Sequence, residues 1–195
     1  MLLAPSWGSS SILNKYGARM SDALLGTGYH LIIRPHPQSY TSESEMLEAL
    51  MARYPQSDRL EWNRDNDNFD VLNRSDILIS DFSGVMFDFS LVFDKPIIYA
   101  DTSFDKGIYD ACWLDEEMWT FDILPAIGQQ LTEDGIDDIK QVIDACLTDP
   151  KYAAGRDRAR SEAWAHPGEA TVRTVDYLIA KYRELNPEDE EVREK

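Results

Sequence analysis

The chain has 195 residues, 43% of them hydrophobic, which suits one well-buried domain of ordinary soluble composition. Its 36 acidic residues against 19 basic ones give a formal charge of −17, which argues against nucleic acid or an anionic membrane as the main partner. A small anionic ligand remains compatible, because donors in a cleft outweigh a distant field screened over about 8 Å at physiological salt.

In chain order, LeuLeuAla at 2–4 reads as a first strand, followed by ProSerTrpGlySerSerSer and a helical pattern over 12–25 that GlyThrGly at 26–28 ends. HisLeuIleIleArg at 30–34 is a second strand, stopped by ProHisPro because proline breaks ladder pairing. A helix over 44–54 leads to a weak strand at 59–62 and a short helix over 68–73. IleLeuIle at 77–79 and IleIleTyrAla at 97–100 are strands flanking a helix that begins just after Ser83. The alternation then fades through an aromatic-rich segment, 101–115, whose length suggests a functional or covering loop. Helices resume over 134–147, 150–165 and 169–184, and residues 186–195 form an acidic tail expected to be frayed and solvated.

Strands alternating with helices call for an α/β fold, an open and mostly parallel sheet with helices on both faces, expected over 1–185 as one domain. A chain that starts on its first strand reads as half of a larger protein cut at a linker, or as a small protein with a short N-terminus. Cys112 and Cys146 lie outside any CxxC or Cys/His spacing, which points to a reducing compartment and no structural zinc. No apolar run approaches the roughly 20 residues of a membrane span, and no signal-peptide pattern opens the chain, so a cytoplasmic protein is expected.

In such a sheet the C-terminal strand ends share one edge, where ligands bind at the point of strand-order reversal. Three polar loops are expected there. AspPheSerGly at 81–84 precedes a helix whose first N–H groups, from Gly84 and Val85, are free to meet an anion beside the Ser83 hydroxyl. The competing reading is that Ser83 or Asp81 only caps that helix. Ser9 and Ser10 in TrpGlySerSerSer repeat the pattern more weakly, without the Lys of a P-loop. ArgProHisPro at 34–37 presents His36 from a stiff loop, with Arg34 as a fixed charge, suited to protonating or hydrogen-bonding a leaving phosphate. Asp88, one turn beyond Gly84, is placed to accept from two ribose hydroxyls, or is an ordinary exposed aspartate. His30 and His166 read as structural.

LeuLeuAlaProSerTrp at 2–7, ArgProHisPro at 34–37, the segment 75–89 with LysProIleIleTyr at 95–99, and GlyGluAlaThrValArgThrValAspTyrLeu at 168–178 together resemble the CDP-glycerol glycerophosphotransferase family of teichoic-acid synthesis. The central segment is the specific one. The resemblance implies a GT-B transferase of two Rossmann-like halves, with this chain as the C-terminal, donor half. Family members are peripheral membrane enzymes that move glycerol phosphate from CDP-glycerol to a growing polymer and release CMP. The acceptor half, with its HisGly-containing motif, has no counterpart in these residues. His36 matches the family's functional histidine, and Ser83 the first serine of its AspTyrSerSer motif. Gly84 replaces the second serine, so one hydroxyl is missing while its N–H remains.

Rival readings keep other chemistries in view. PheSerGly followed by Asp88 is also similar to UDP-N-acetylglucosamine 2-epimerases, which would make the donor a UDP-sugar and the chain half of a GT-B glycosyltransferase or of an epimerase-like protein. A phosphoacceptor signalling domain would use Asp81, but serines follow the first strand and Lys95 precedes its strand instead of ending one. No metal cluster is evident, and any Mg²⁺ would travel with the donor's phosphates.

Overall fold

The computed structural model describes residues 1–100, 113, 115 and 118–187, so nearly all of the aromatic-rich segment and the tail from 188 lie outside the described residues. Six strands, β1 (Leu2–Leu3), β2 (Leu31–Ile33), β3 (Leu60–Trp62), β4 (Leu78–Ser80), β5 (Ile97–Ala100) and β6 (Gly128–Leu131), form one sheet in the order β3-β2-β1-β4-β5-β6. All five pairings are parallel, with Leu2 between Ile32 and Leu78. The order reverses at β1, which places the switch point between β1 and β4.

The strands are near-continuous apolar runs because both faces are covered. Their period of two sends Leu3, Ile33, Ile79 and Ile98 into one core and Leu2, Ile32, Leu78 and Ile97 into the other. The first core is closed by α1 (Ile12–Gly26), α3 (Ser44–Arg53) and α8 (Ile139–Thr148), through Met20, Leu24, Leu47 and Ile143. The second is closed by α4 (Phe69–Arg74), by α5 (Val85–Phe87) with the π-helical turn Asp88–Val92 that extends it, by α7 (Leu124–Ile127), and by Ala159 of α9 (Lys151–Ala163). Short helices α2 (Ser39–Ser42) and α6 (Trp119–Asp122) complete this part, and α10 (Ala170–Leu185) ends the described chain. This is the Rossmann-like α/β fold expected of a GT-B transferase half.

Several details depart from the expected elements. The helix expected over 134–147 is a 3₁₀ turn, Asp134–Ile136, followed by α8. The edge strand β6 carries no apolar signal: GlyGlnGlnLeu buries only Gly128 and Leu131. Gly128 is required there by close approach, since a Cβ would meet the Ile97 carbonyl oxygen at 2.5 Å. Lys95, just before β5, donates to the carbonyls of Leu72, Asn73 and Ser75 at 3.3, 2.5 and 2.7 Å, which closes the C-terminal end of α4. Burial of this ammonium pushes its pKa down.

The chain divides into two compact units, Met1–Ala159 and a second beginning at Arg160. The sheet and its loops belong to the first. In the second, α10 carries Val172, Val175, Ile179 and Tyr182 at helical spacing, all of them exposed.

Candidate functional site

At the C-terminal edge of the sheet, the ends of β1, β2, β3 and β4 surround a cavity of about 350 Å³. Ala4 and Pro5 line it from the β1 loop, Arg34 to Pro37 from the β2 loop, Asn66 to Asn68 from the β3 loop, and Ser83, Val85 and Asp88 from the β4 loop and the helix after it. Arg34, His36, Ser83, Val85 and Asp88, chosen from the sequence, therefore share one site. Gly84 is exposed next to them and Ser9 and Ser10 lie on the β1 loop, but none of these is among the lining residues.

His36 is held by its own turn. The Gln38 N–H donates to its Nδ1 at 3.1 Å and the Ser39 N–H to its carbonyl at 2.9 Å. In the neutral ring the proton therefore sits on Nε2, and the Trp7 ring lies 6.5 Å away. Burial is the main influence on its pKa and lowers it, against the carboxylates of Glu43 and Asp81, which raise it. Burial thus favours the neutral form of His36 in the free protein. Arg34 is aimed by the buried Asn63, whose Oδ1 accepts from its Nη1 at 2.5 Å; Asn63 in turn donates to Asp65 at 2.8 Å.

The β4 loop leaves its donors open. Ser83 and Gly84 carbonyls accept from Met86 and Phe87, so the N–H groups of Gly84 and Val85 precede the first intrahelical bonds. No side chain caps this helix at Gly84. Neither Ser83 nor Asp81 plays the capping role that the simpler reading assigns. Gly84 has φ −58 and nothing within 4 Å of where its Cβ would be, so its missing side chain leaves open space rather than relieving strain.

Asp81 does something else. It is 2% exposed, and its carboxylate accepts from Ser6 N–H at 2.8 Å, Ile12 N–H at 3.0 Å and Phe82 N–H at 2.8 Å. It thus caps α1 from across the switch point. With both oxygens occupied and solvent excluded, it is unsuited to a phosphoacceptor role, and Lys95 is committed to α4 at the other edge of the sheet.

The β1 loop is equally committed. Gly8, at φ +94, turns the chain and donates its N–H to Glu43 Oε1 at 2.5 Å, where the Asn14 amide also donates at 2.8 Å. Ser11 caps α1. The β3 loop, by contrast, is a contributor that the sequence reading passed over. The polar run AsnArgAspAsnAspAsn at 63–68, directly after a weak strand, was the available signal.

A family model described as CDP-Glycerol:Poly(glycerophosphate) glycerophosphotransferase matches residues 6–180. The chain belongs to this family. No curated protein matches significantly. Among solved structures, spinosyn rhamnosyltransferase SpnG with spinosyn aglycone is similar at TM-score 0.55 and 17% identity, over 90% of this chain and 44% of that one. SpnG with thymidine diphosphate gives the same TM-score and identity over 90% and 45%. A glycosyltransferase from Rickettsia africae ESF-5 follows at TM-score 0.49 and 15% identity, over 82% and 41%. The chain spans less than half the length of each of these solved structures.

Proposed function

We propose that this chain is the donor-nucleotide domain of a transferase that moves glycerol phosphate from CDP-glycerol to a surface-polymer acceptor and releases CMP. The observation that carries the reading is the convergence of Arg34, His36, Ser83, Val85 and Asp88 on one cavity at the switch point, in a chain of the glycerophosphotransferase family. A glycosyltransferase of the same fold has been solved with thymidine diphosphate, which is the ligand class this cavity would take.

In this reading the donor's diphosphate rests on the Ser83 hydroxyl and the N–H groups of Gly84 and Val85, with Arg34 adding a fixed charge. Nε2–H of His36 donates to the phosphate that departs as CMP, and as charge develops there the ring takes a proton from solvent at Nδ1, displacing the Gln38 N–H. Asp88 accepts from the ribose hydroxyls, while the β3 loop faces the nucleoside. Any Mg²⁺ accompanies the diphosphate; among the described residues no cluster of three His, Cys, Asp or Glu could hold a metal. The acceptor and its base belong to an N-terminal half of the full enzyme, at the inner face of the membrane in a cytoplasmic protein. Membrane contact is assigned to that other half; no described helix of this chain is long and apolar enough to cross a membrane.

Calorimetric titration with CMP, CDP-glycerol, UDP and UDP-N-acetylglucosamine tests the reading. Cytidine ligands should bind best, and Ser83→Ala should weaken them about fivefold, the loss of roughly one hydrogen bond. Preference for uridine ligands would make this a sugar-nucleotide domain instead.

A further inference from the structure

Glu43, at the junction of α2 and α3, ties the β1 loop to the helical segment that follows the β2 loop. One oxygen, Oε1, accepts from Gly8 N–H of the β1 loop at 2.5 Å and from the Asn14 amide at 2.8 Å. The other, Oε2, is buried and has no hydrogen-bond partner among the described residues. A carboxylate oxygen shut away from water without a donor is costly unless a positive charge visits it. In sequence only Pro37, Gln38 and α2 separate Glu43 from His36, and Trp7, next to Gly8, has its ring 6.5 Å from the imidazole.

We propose that Glu43 is a positioning residue for His36: with one oxygen it fastens the β1 loop to the helical segment that follows the β2 loop, and its fixed negative charge readies the imidazole to accept a proton when an anion enters the cavity. The proposal rests on the donor-site reading for its functional half. The field of Glu43 is felt at His36, where it opposes the effect of burial. The other charged groups around His36 are Arg34 on its own loop, Asp81 of the β4 loop, and Asp67 and Asp88 lining the same cavity. Of the two carboxylates whose field is felt at His36, Asp81 has both oxygens committed to N–H groups, whereas Glu43 keeps a buried oxygen without a partner among the described residues.

The test is an NMR titration of the ligand-free protein, in which only three histidines need assignment. Glu43→Gln keeps an acceptor for Gly8 N–H and removes the charge. It should lower the His36 midpoint by about half a pH unit or more. An unmoved midpoint in a folded Glu43→Gln protein overturns the proposal. Should that variant not fold, the unsubstituted protein carries the same information: the Glu43 carboxyl ¹³C resonance must step at the His36 midpoint and lose that step in His36→Ala. A missing step overturns the proposal equally. With CDP-glycerol as probe, Glu43→Gln should shift the pH profile of affinity toward acid, whereas a purely structural Glu43 would weaken binding by one factor at every pH. If His36→Ala binds CDP-glycerol as tightly as the unsubstituted protein, the donor reading fails, and the functional half of this proposal with it, while the coupling measured without ligand stands.

Discussion

In the β1 loop the backbone N–H groups of Ser6, Gly8 and Ile12 all end on carboxylates of the protein itself, whereas in the β4 loop those of Gly84 and Val85 end on none. Both loops are short runs of small polar residues between an apolar strand and a helix. Asp81 and Glu43 make the difference, because each supplies to the β1 loop the anion that a ligand would otherwise bring. A Gly/Ser loop ahead of a helix is therefore an anion site only when no internal carboxylate reaches it first. The same two carboxylates tie the β1 loop to its neighbours on either side, so the consumed loop serves as the frame against which the open one is presented.

Removing the frame should have the largest effect. Asp81→Ala leaves the N–H groups of Ser6 and Ile12 buried without acceptors, and should lower stability by about 3 kcal/mol or more. Urea denaturation reads this as a fall in the midpoint at unchanged slope. Stability within about 0.5 kcal/mol of the parent would show that the β1 loop is held by something other than this carboxylate.

His36→Ala acts on the open side. It removes a donor from the cavity without disturbing the sheet, and should weaken CDP-glycerol binding about tenfold while the unfolding midpoint stays put. The pH dependence has a defined sign. Burial holds the free imidazole below its ordinary value of 6.5, and a bound diphosphate raises it, so between the two midpoints the complex carries one more proton than its free components. Affinity should therefore rise as pH falls through that window, and be flat at higher pH where both forms are neutral. CDP-glycerol is the proper probe because its diphosphate diester does not titrate there. A profile that stays flat down to about pH 5.5 would remove proton uptake by His36 from the mechanism.

Much of this was legible in the residues. Apolar runs at 2–4, 31–33, 77–79 and 97–100 announced the buried parallel strands, and prolines flanking His36 announced a rigid loop at a strand end. What could not be read was which polar groups neutralise one another. Asp81 stands 69 residues from the Ile12 N–H that it caps, and Glu43 stands 35 from Gly8, separations at which no local pattern survives. The strand β6 was missed for the opposite reason: its pairing with β5 depends on the absence of a side chain at Gly128, and a missing side chain leaves no apolar signal. The β3 loop escaped notice because a three-residue strand of mixed polarity gave it little prominence.

Gly84→Ser sharpens the contrast from the open side. The backbone there is ordinary for a helix start and no atom lies within 4 Å of the added Cβ, so the substitution should change stability by less than about 0.5 kcal/mol. It adds a second hydroxyl beside Ser83 and should tighten CDP-glycerol binding about threefold, less than a full hydrogen bond because the hydroxyl must be ordered on binding. Weaker binding would mean that the ligand's approach uses the space the glycine leaves empty.

The smallest effect belongs to the loop already satisfied. Ser9→Ala and Ser10→Ala together should change CDP-glycerol affinity by less than about twofold, since neither residue lines the cavity and the N–H of neighbouring Gly8 is bound to Glu43. The comparison hangs on this null result. If the pair weakened binding as much as Ser83→Ala, the donor would have to reach the β1 loop despite Glu43. Repeating the titration on Glu43→Gln would then separate the causes: displacement of the carboxylate by the donor predicts tighter binding once the charge is gone, and contact through the serine hydroxyls alone predicts none.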